Sequence, residues 1–194
     1  MVGVTFALDV TLNRDQQITA VFAGDLFAEH RAACIAAKQD AMQEVDRPFD
    51  VVLTTNSGYP LDQNLYQAVK GMSAAAQVVK PGGLIVCAAE CRDGFPDHGS
   101  FRKELVTAAS PTALLESILA RERTVPDQWQ TQIQTLIQSR ARVVMHTSYL
   151  SDEELAAAHL EQTDDIEATV RDALDATNGA VCVLPEGPQT IPYV

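Results

Sequence analysis

Cysteines, aromatic residues and basic residues are all scarce in this chain, and each shortage removes a class of protein. Four cysteines occur in 194 residues, Cys34, Cys87, Cys91 and Cys182. They are scattered among apolar neighbours without the spacing of a disulfide framework, so they are read as reduced, mostly buried thiols. Lys and Arg number 14 against 26 Asp and Glu, for a formal net charge of -12, and no basic cluster stands out. Such a surface repels a phosphate backbone at long range, which excludes nucleic acid as a partner. No apolar run approaches the roughly eighteen residues of a membrane span, so a membrane is excluded as well. The segment after Met1 has neither a basic n-region nor an apolar h-region, and the expectation is a chain without a secretion signal, located in the cytoplasm. What is present is a hydrophobic content of 46%, in a length that suits one full-sized core.

Periodicity divides the chain in two. Val4, Phe6, Leu8, Val10 and Leu12 alternate with polar or small residues, the period of a strand with one face buried, and residues 13–17 turn the chain into a second apolar run at 18–22. Residues 1–24 therefore read as an N-terminal hairpin, at a sheet edge or on a separate flap. Asp25 is placed to cap a long helix reaching about residue 45. From there short apolar runs at 50–55, 84–89, 143–146 and 180–184 are separated by helical patterns, one of them opened by the capping box of Ser151 and Glu154 and another by Ser110 and Pro111. The sequence Pro81, Gly82, Gly83 is expected to stop the helix after the first of these strands. Buried strands alternating with helices imply an α/β fold, a mostly parallel sheet with helices on both faces, over residues 25–194.

In such a sheet ligands bind beyond the carboxyl ends of the strands, where loops and helix N-termini converge, and the loop at 56–60 is the most polar of these ends. The helix after it carries Gln63, Gln67 and Lys70 at i, i+4 and i+7, one amide, another amide and an ammonium on one face. On periodicity alone this is a solvated face; if functional, Lys70 holds an anion such as a carboxylate and Gln67 orients it. Trp129, the only tryptophan, lies in phase with Ile133, Leu136 and Ile137. That spacing favours a core or interface anchor, although its place in the first turn leaves it able to lean into a crevice. Cys87, Cys91, Asp93, Asp97 and His98 lack the paired spacing of a metal site, and no metal ligand is assigned. His30 and His159 read as helix residues and His146 as a strand end.

The stretch 79–86 resembles the helix-turn-strand of class I methyltransferases. None of the ten glycines forms the loop that such a cofactor needs. A second resemblance covers nearly the whole chain in order. V-F-A-G-D over 21–25 with His30, G-Y-P-L-D-Q-N-L-Y-Q-A-V-K-G-M over 58–72, K-P-G-G over 80–83, D-Q-W-Q over 127–130, and L-P-x-G over 184–187 with T-I-P over 190–192 resemble the C-terminal part of the lactate racemase family, the nickel-pincer-dependent 2-hydroxyacid racemases and epimerases. The long block at 58–72 is its specific part.

The resemblance implies a domain that closes over the substrate, with Gln67, Lys70 and Trp129 lining the pocket and with Lys70 and Gln67 gripping the substrate carboxylate. Lys70 is the one residue of this chain that it implies in a catalytic role. It further implies an N-terminal domain, not among these residues, that carries the nickel-pincer nucleotide and a catalytic histidine pair, so this chain alone holds no cofactor and is inactive. The segment 93–100 departs from the pattern, with Phe95, Pro96, Asp97 and His98 where a shorter glycine turn is expected. The alternative is a non-catalytic α/β binding or scaffold module.

Overall fold

The computed structural model describes residues 3–13 and 15–194. The expectation about a leader rests partly on Met1 and Val2, and the expected hairpin turn includes Arg14; these three lie outside the described residues. The chain forms two compact units, Met1–Gln43 and Glu44–Val194. The division falls later than residue 24, because the first helix groups with the hairpin. Among the described residues no helix is long and apolar enough to cross a membrane.

In the first unit β1 (Ala7–Leu12) and β2 (Ile18–Gly24) pair antiparallel. Helix α1 (Leu26–Ala41) follows, its start fixed by Asp25, whose carboxylate accepts from the N–H groups of Phe27 and Ala28. The helix ends earlier than residue 45, where β3 (Met42–Glu44) crosses the division between the units. The alternation over 4–12 predicts one buried face, yet Val4, Phe6, Leu8, Val10 and Leu12 are all exposed in this chain. Alternation decides which residues share a face of a strand, and what covers that face is a matter of packing. Cys34 on α1 is likewise exposed, against the expectation of mostly buried thiols, while Cys87 and Cys91 are buried.

The second unit runs β4 (Phe49–Thr55), α2 (Leu65–Ala76), β5 (Val79–Ala88), α3 (Phe101–Thr107), α4 (Pro111–Leu119), α5 (Gln128–Arg140), β6 (Arg142–His146), α6 (Asp152–Ala157), β7 (Glu161–Gln162), α7 (Ile166–Thr177), β8 (Val181–Leu184), a 3-10 turn (Gly187–Gln189) and β9 (Ile191–Tyr193). Its sheet has the order β7-β6-β5-β4-β8, with every neighbouring pair parallel. The four strands expected from the apolar runs are all in it, and β7 adds an edge that the pattern does not show. Along β4, Val52 points into the larger core, with Leu65, Val69 and Met72 of α2 and Ile85, Val143 and Met145 of the neighbouring strands. Val51 points to the opposite face, where it packs with Leu84, Val86 and Val144 under Ile166, Val170 and Leu174 of α7. Both faces are covered, which is why these strands read as continuous apolar runs.

Local caps follow the sequence. Ser110 accepts from Ala113 N–H with Pro111 in the first turn, and Ser151 and Glu154 form the reciprocal capping box. Three features differ from expectation. Helix α2 ends at Ala76, and Pro81, Gly82 and Gly83 lie inside β5 as a bulge, since Phe49 pairs with Val79 but Val51 pairs with Leu84. Helix α3 has no expected counterpart. His159 sits just past α6 with φ 58°, and its Nε2 lies 3.1 Å from the Leu105 carbonyl.

The bulge brings Lys80 to Asp50. The ammonium donates to both carboxylate oxygens at 2.8 and 2.9 Å, and Asp50 also accepts from Ala180 N–H at 2.9 Å. These bonds, the Lys80 bond first, hold the Asp50 carboxyl below its ordinary value of 3.8. A carboxyl depressed on folding stabilises the fold above its unfolded value and ceases to do so as pH falls through the folded one. Denaturant unfolding measured from about pH 6 down to about pH 2 is expected to show the wild type losing more stability than Asp50→Asn, with the divergence beginning as pH falls into the ordinary carboxylate range and growing below it. Parallel profiles would show that the pairing contributes nothing.

Candidate functional site

Helix α2 starts at Asn64, whose side chain accepts from Gln67 N–H at 3.0 Å. Its buried stripe is Leu65, Ala68, Val69 and Met72, as the spacing predicts. Gln63 precedes the cap, so it does not share the helix face with Gln67 and Lys70. Gln67 is half-buried and Lys70, one turn on, is exposed.

Lys70 lines an open cavity of about 320 Å³ between α2, the start of α5 and the C-terminal turn, with Ser73, Trp129, Gln130, Pro188 and Ile191 also in its walls. Lys70 and Trp129 are thus brought to one crevice. Gln67 is not among the lining residues. The cavity is also distinct from the strand-end crevice that the fold class points to. That second cavity, about 330 Å³, is lined by Thr55, Asp62, Glu90 and His146 at the carboxyl ends of β4, β5 and β6. The polar loop at 56–60 begins there with Asn56, which is fully buried and supports the fold: its amide oxygen accepts from Gly71 N–H at 2.8 Å and its amide nitrogen donates to the Leu61 carbonyl.

Trp129 is 53% exposed, so it is no core anchor. The apolar residues of α5 give its buried face only in part: Ile137 is in the core, but most of that face is polar, with Gln130, Thr131, Gln134 and Thr135 at most 1% exposed. The amides of Gln130 and Gln134 donate to the carbonyls of Tyr66 and Ala158. The Ala158 carbonyl, at the C-cap of α6, lacks an intrahelical partner, and a buried amide satisfies it where an aliphatic side chain would not. Trp129 is left on the outward side, its ring edge-on to Tyr66 at 5.7 Å.

Tyr66 is the hub that sequence patterning does not reveal. Its hydroxyl donates to Asp127 Oδ1 at 3.2 Å, and His98 Nδ1 lies 3.4 Å from Asp127 Oδ2. Burial, followed by the Asp127 charge, pushes the Tyr66 hydroxyl up to about 12, so it remains a donor. The signals were present in the motifs Y-Q-A-x-K and D-Q-W-Q, of which the resemblance carries over only Gln67, Lys70 and Trp129.

No group of three His, Cys, Asp or Glu residues is placed to hold a metal among the described residues. The buried thiols are unsuited as well: burial raises those of Cys87 and Cys91, the latter to about 12. A thiol must ionise to bind a metal. These residues do not fit a nickel centre.

Fold and site together define a parallel α/β domain with helices on both sheet faces and an open crevice walled by a lysine and a tryptophan from two helices. Residues 45–191 match the family model of the lactate racemase C-terminal domain. The chain belongs to that family. It is 34% identical over 195 residues to the lactate racemase of Thermoanaerobacterium thermosaccharolyticum, covering 97% of this chain and 45% of that protein, and 34% identical over 189 residues to that of Lactiplantibacillus plantarum, covering 95% and 44%. The structure of the lactate racemase apoprotein from the former superimposes with a TM-score of 0.90 at 32% identity, over 98% of this chain and 46% of that one. A protein from Thermotoga maritima shares the fold, with a TM-score of 0.62 at 13% identity. The chain thus spans somewhat less than half the length of the relatives it matches.

Proposed function

We propose that this chain is the substrate-closing domain of a nickel-pincer-dependent 2-hydroxyacid racemase or epimerase of the cytoplasm, inactive without an N-terminal half. The observation that carries this reading is the shared crevice of Lys70 and Trp129. The ammonium supplies a positive charge for the carboxylate of a 2-hydroxyacid, in the bond class that is strongest in a site shielded from water. The indole supplies an apolar wall that excludes water, and Gln67, one turn from Lys70 on the same helix, orients the substrate. The pincer nucleotide, which accepts hydride when bound, and the histidines that move the proton belong in this reading to the other half. No step assigned to the present chain passes through them.

A second reading, a binding or scaffold module without chemistry, is favoured by the position of Gln67 outside the cavity. Racemisation separates the two. Chiral chromatography of a panel of 2-hydroxyacids is expected to show no turnover by this chain alone, and turnover once it is joined to an N-terminal half loaded with the nickel-pincer nucleotide. A loaded, folded assembly that racemises no member of the panel would support the scaffold reading.

A further inference from the structure

Every residue of the D-Q-W-Q turn except Gln128 engages Tyr66. Asp127 accepts from its hydroxyl, Trp129 packs edge-on to its ring and Gln130 donates to its carbonyl. Gln128 instead ties the turn to the preceding loop, accepting from Arg121 and from Val125 N–H. Tyr66 lies one helical turn before Lys70, so whatever fixes Tyr66 against α5 fixes the two walls of the crevice relative to each other.

Asp127 occupies this position at a cost to its backbone. It has φ 62°, a left-handed conformation uncommon outside glycine, asparagine and aspartate. Room for its carboxylate is made by Gly99: a Cβ there would lie 1.8 Å from Asp127 Oδ2, and Gly99 itself has φ 61°. The neighbouring His98 meets the same oxygen, and because a carboxylate only accepts, Nδ1 is the donor. His98 also packs edge-on against Tyr66 at 5.1 Å. The segment where this sequence departs from its family's pattern thus delivers both the histidine and the glycine that accommodate Asp127.

We infer that Asp127, braced by His98, is a positioning residue that clamps Tyr66 and so sets the placement of Trp129 against Lys70 across the crevice. This rests on the reading of that crevice as the functional site, but its test needs neither substrate nor cofactor. Trp129 is the only tryptophan, so the time-resolved fluorescence anisotropy of the whole chain reports on this turn alone. Asp127→Gly keeps the left-handed backbone, which glycine adopts freely, and removes only the side chain. The amplitude of the fast, local depolarisation of Trp129 is expected to at least about double in this variant, on the ps–ns timescale of side-chain motion. Asp127→Asn is expected to restore wild-type behaviour, since its amide oxygen still accepts from the Tyr66 hydroxyl and asparagine tolerates the same φ. Tyr66→Phe, which deletes the donor and keeps the ring, is expected to match Asp127→Gly and carries the test if the glycine variant does not fold. His98→Gln is expected to fall between wild type and Asp127→Gly. Unchanged anisotropy in folded Asp127→Gly and Tyr66→Phe would overturn the inference, as would an asparagine variant no better than the glycine one. Racemisation results leave this outcome untouched, so failure of the functional reading and failure of the clamp are distinguishable.

Discussion

Replacing Lys70 by alanine is expected to leave folding stability within about 0.5 kcal/mol of wild type, while turnover by the complete enzyme falls by about ten- to a hundredfold. The first half of that expectation follows from exposure: Lys70 stands on the outer side of α2, away from the stripe of Leu65, Val69 and Met72 that the helix buries. The second half follows from what the ammonium faces. A charge-assisted bond to an ionised group is worth about 1.5 to 3 kcal/mol, and each 1.4 kcal/mol of lost transition-state binding is about a factor of ten in rate. Closure by a second domain would raise the effect toward the upper end, because excluding water strengthens the interaction. Gln67→Ala is expected to cost less, since a neutral amide makes a weaker bond and Gln67 stands outside the cavity. Wild-type turnover on a good 2-hydroxyacid, with no loss in Lys70→Ala at matched cofactor loading, would remove Lys70 from any carboxylate-binding role.

The opposite pattern is expected at Asn56, where the damage falls on the fold. Its side chain is fully buried and answers two backbone groups at once, Gly71 N–H in the middle of α2 and the Leu61 carbonyl in the loop before it. Alanine removes the Asn56 acceptor from Gly71 N–H and the Asn56 donor from the Leu61 carbonyl, and a buried group left unsatisfied costs about 1 to 3 kcal/mol. Asn56→Ala is therefore expected to lose about 2 to 5 kcal/mol of unfolding free energy, measured by denaturant titration at constant m-value. Asn56→Asp retains the acceptor for Gly71 N–H but offers no donor to Leu61 and buries a charge, so it is expected to be no better than alanine. A loss below about 1 kcal/mol in the alanine variant would mean that the loop rearranges to satisfy these groups itself.

Asn56 also shows how far the chemistry of this chain can be read in one dimension. As part of the polar loop at 56–60 it marks the end of a strand correctly, and composition suggests a ligand contact there. The fold turns it inward, because a helix interior and a loop carbonyl converge on that point from residues 15 and 5 positions away. Helix α5 carries the same lesson in reverse. Its apolar residues predict a buried Trp129, but Gln130 and Gln134 turn inward, their amides donating to the carbonyls of Tyr66 in α2 and of Ala158 just past α6, and the indole is left in the crevice wall.

By itself the sequence determined what depends on neighbours along the chain. The caps at Asp25, Ser110 and Ser151, the four main strands of a parallel sheet, the amphipathic phase of α2 and the motifs that place Lys70 and Trp129 in one family all arise from short-range periodicity or direct residue matching. Only the tertiary structure decided which polar groups meet. Tyr66, His98 and Asp127 are separated by dozens of residues, and nothing in the local pattern of any one of them points to the other two. Their meeting depends on the docking of α2 against α5 and on the space left by Gly99. Hydrogen bonds are short-ranged and directional, so their partners are fixed by the final few ångströms of packing, which periodicity in the sequence does not encode.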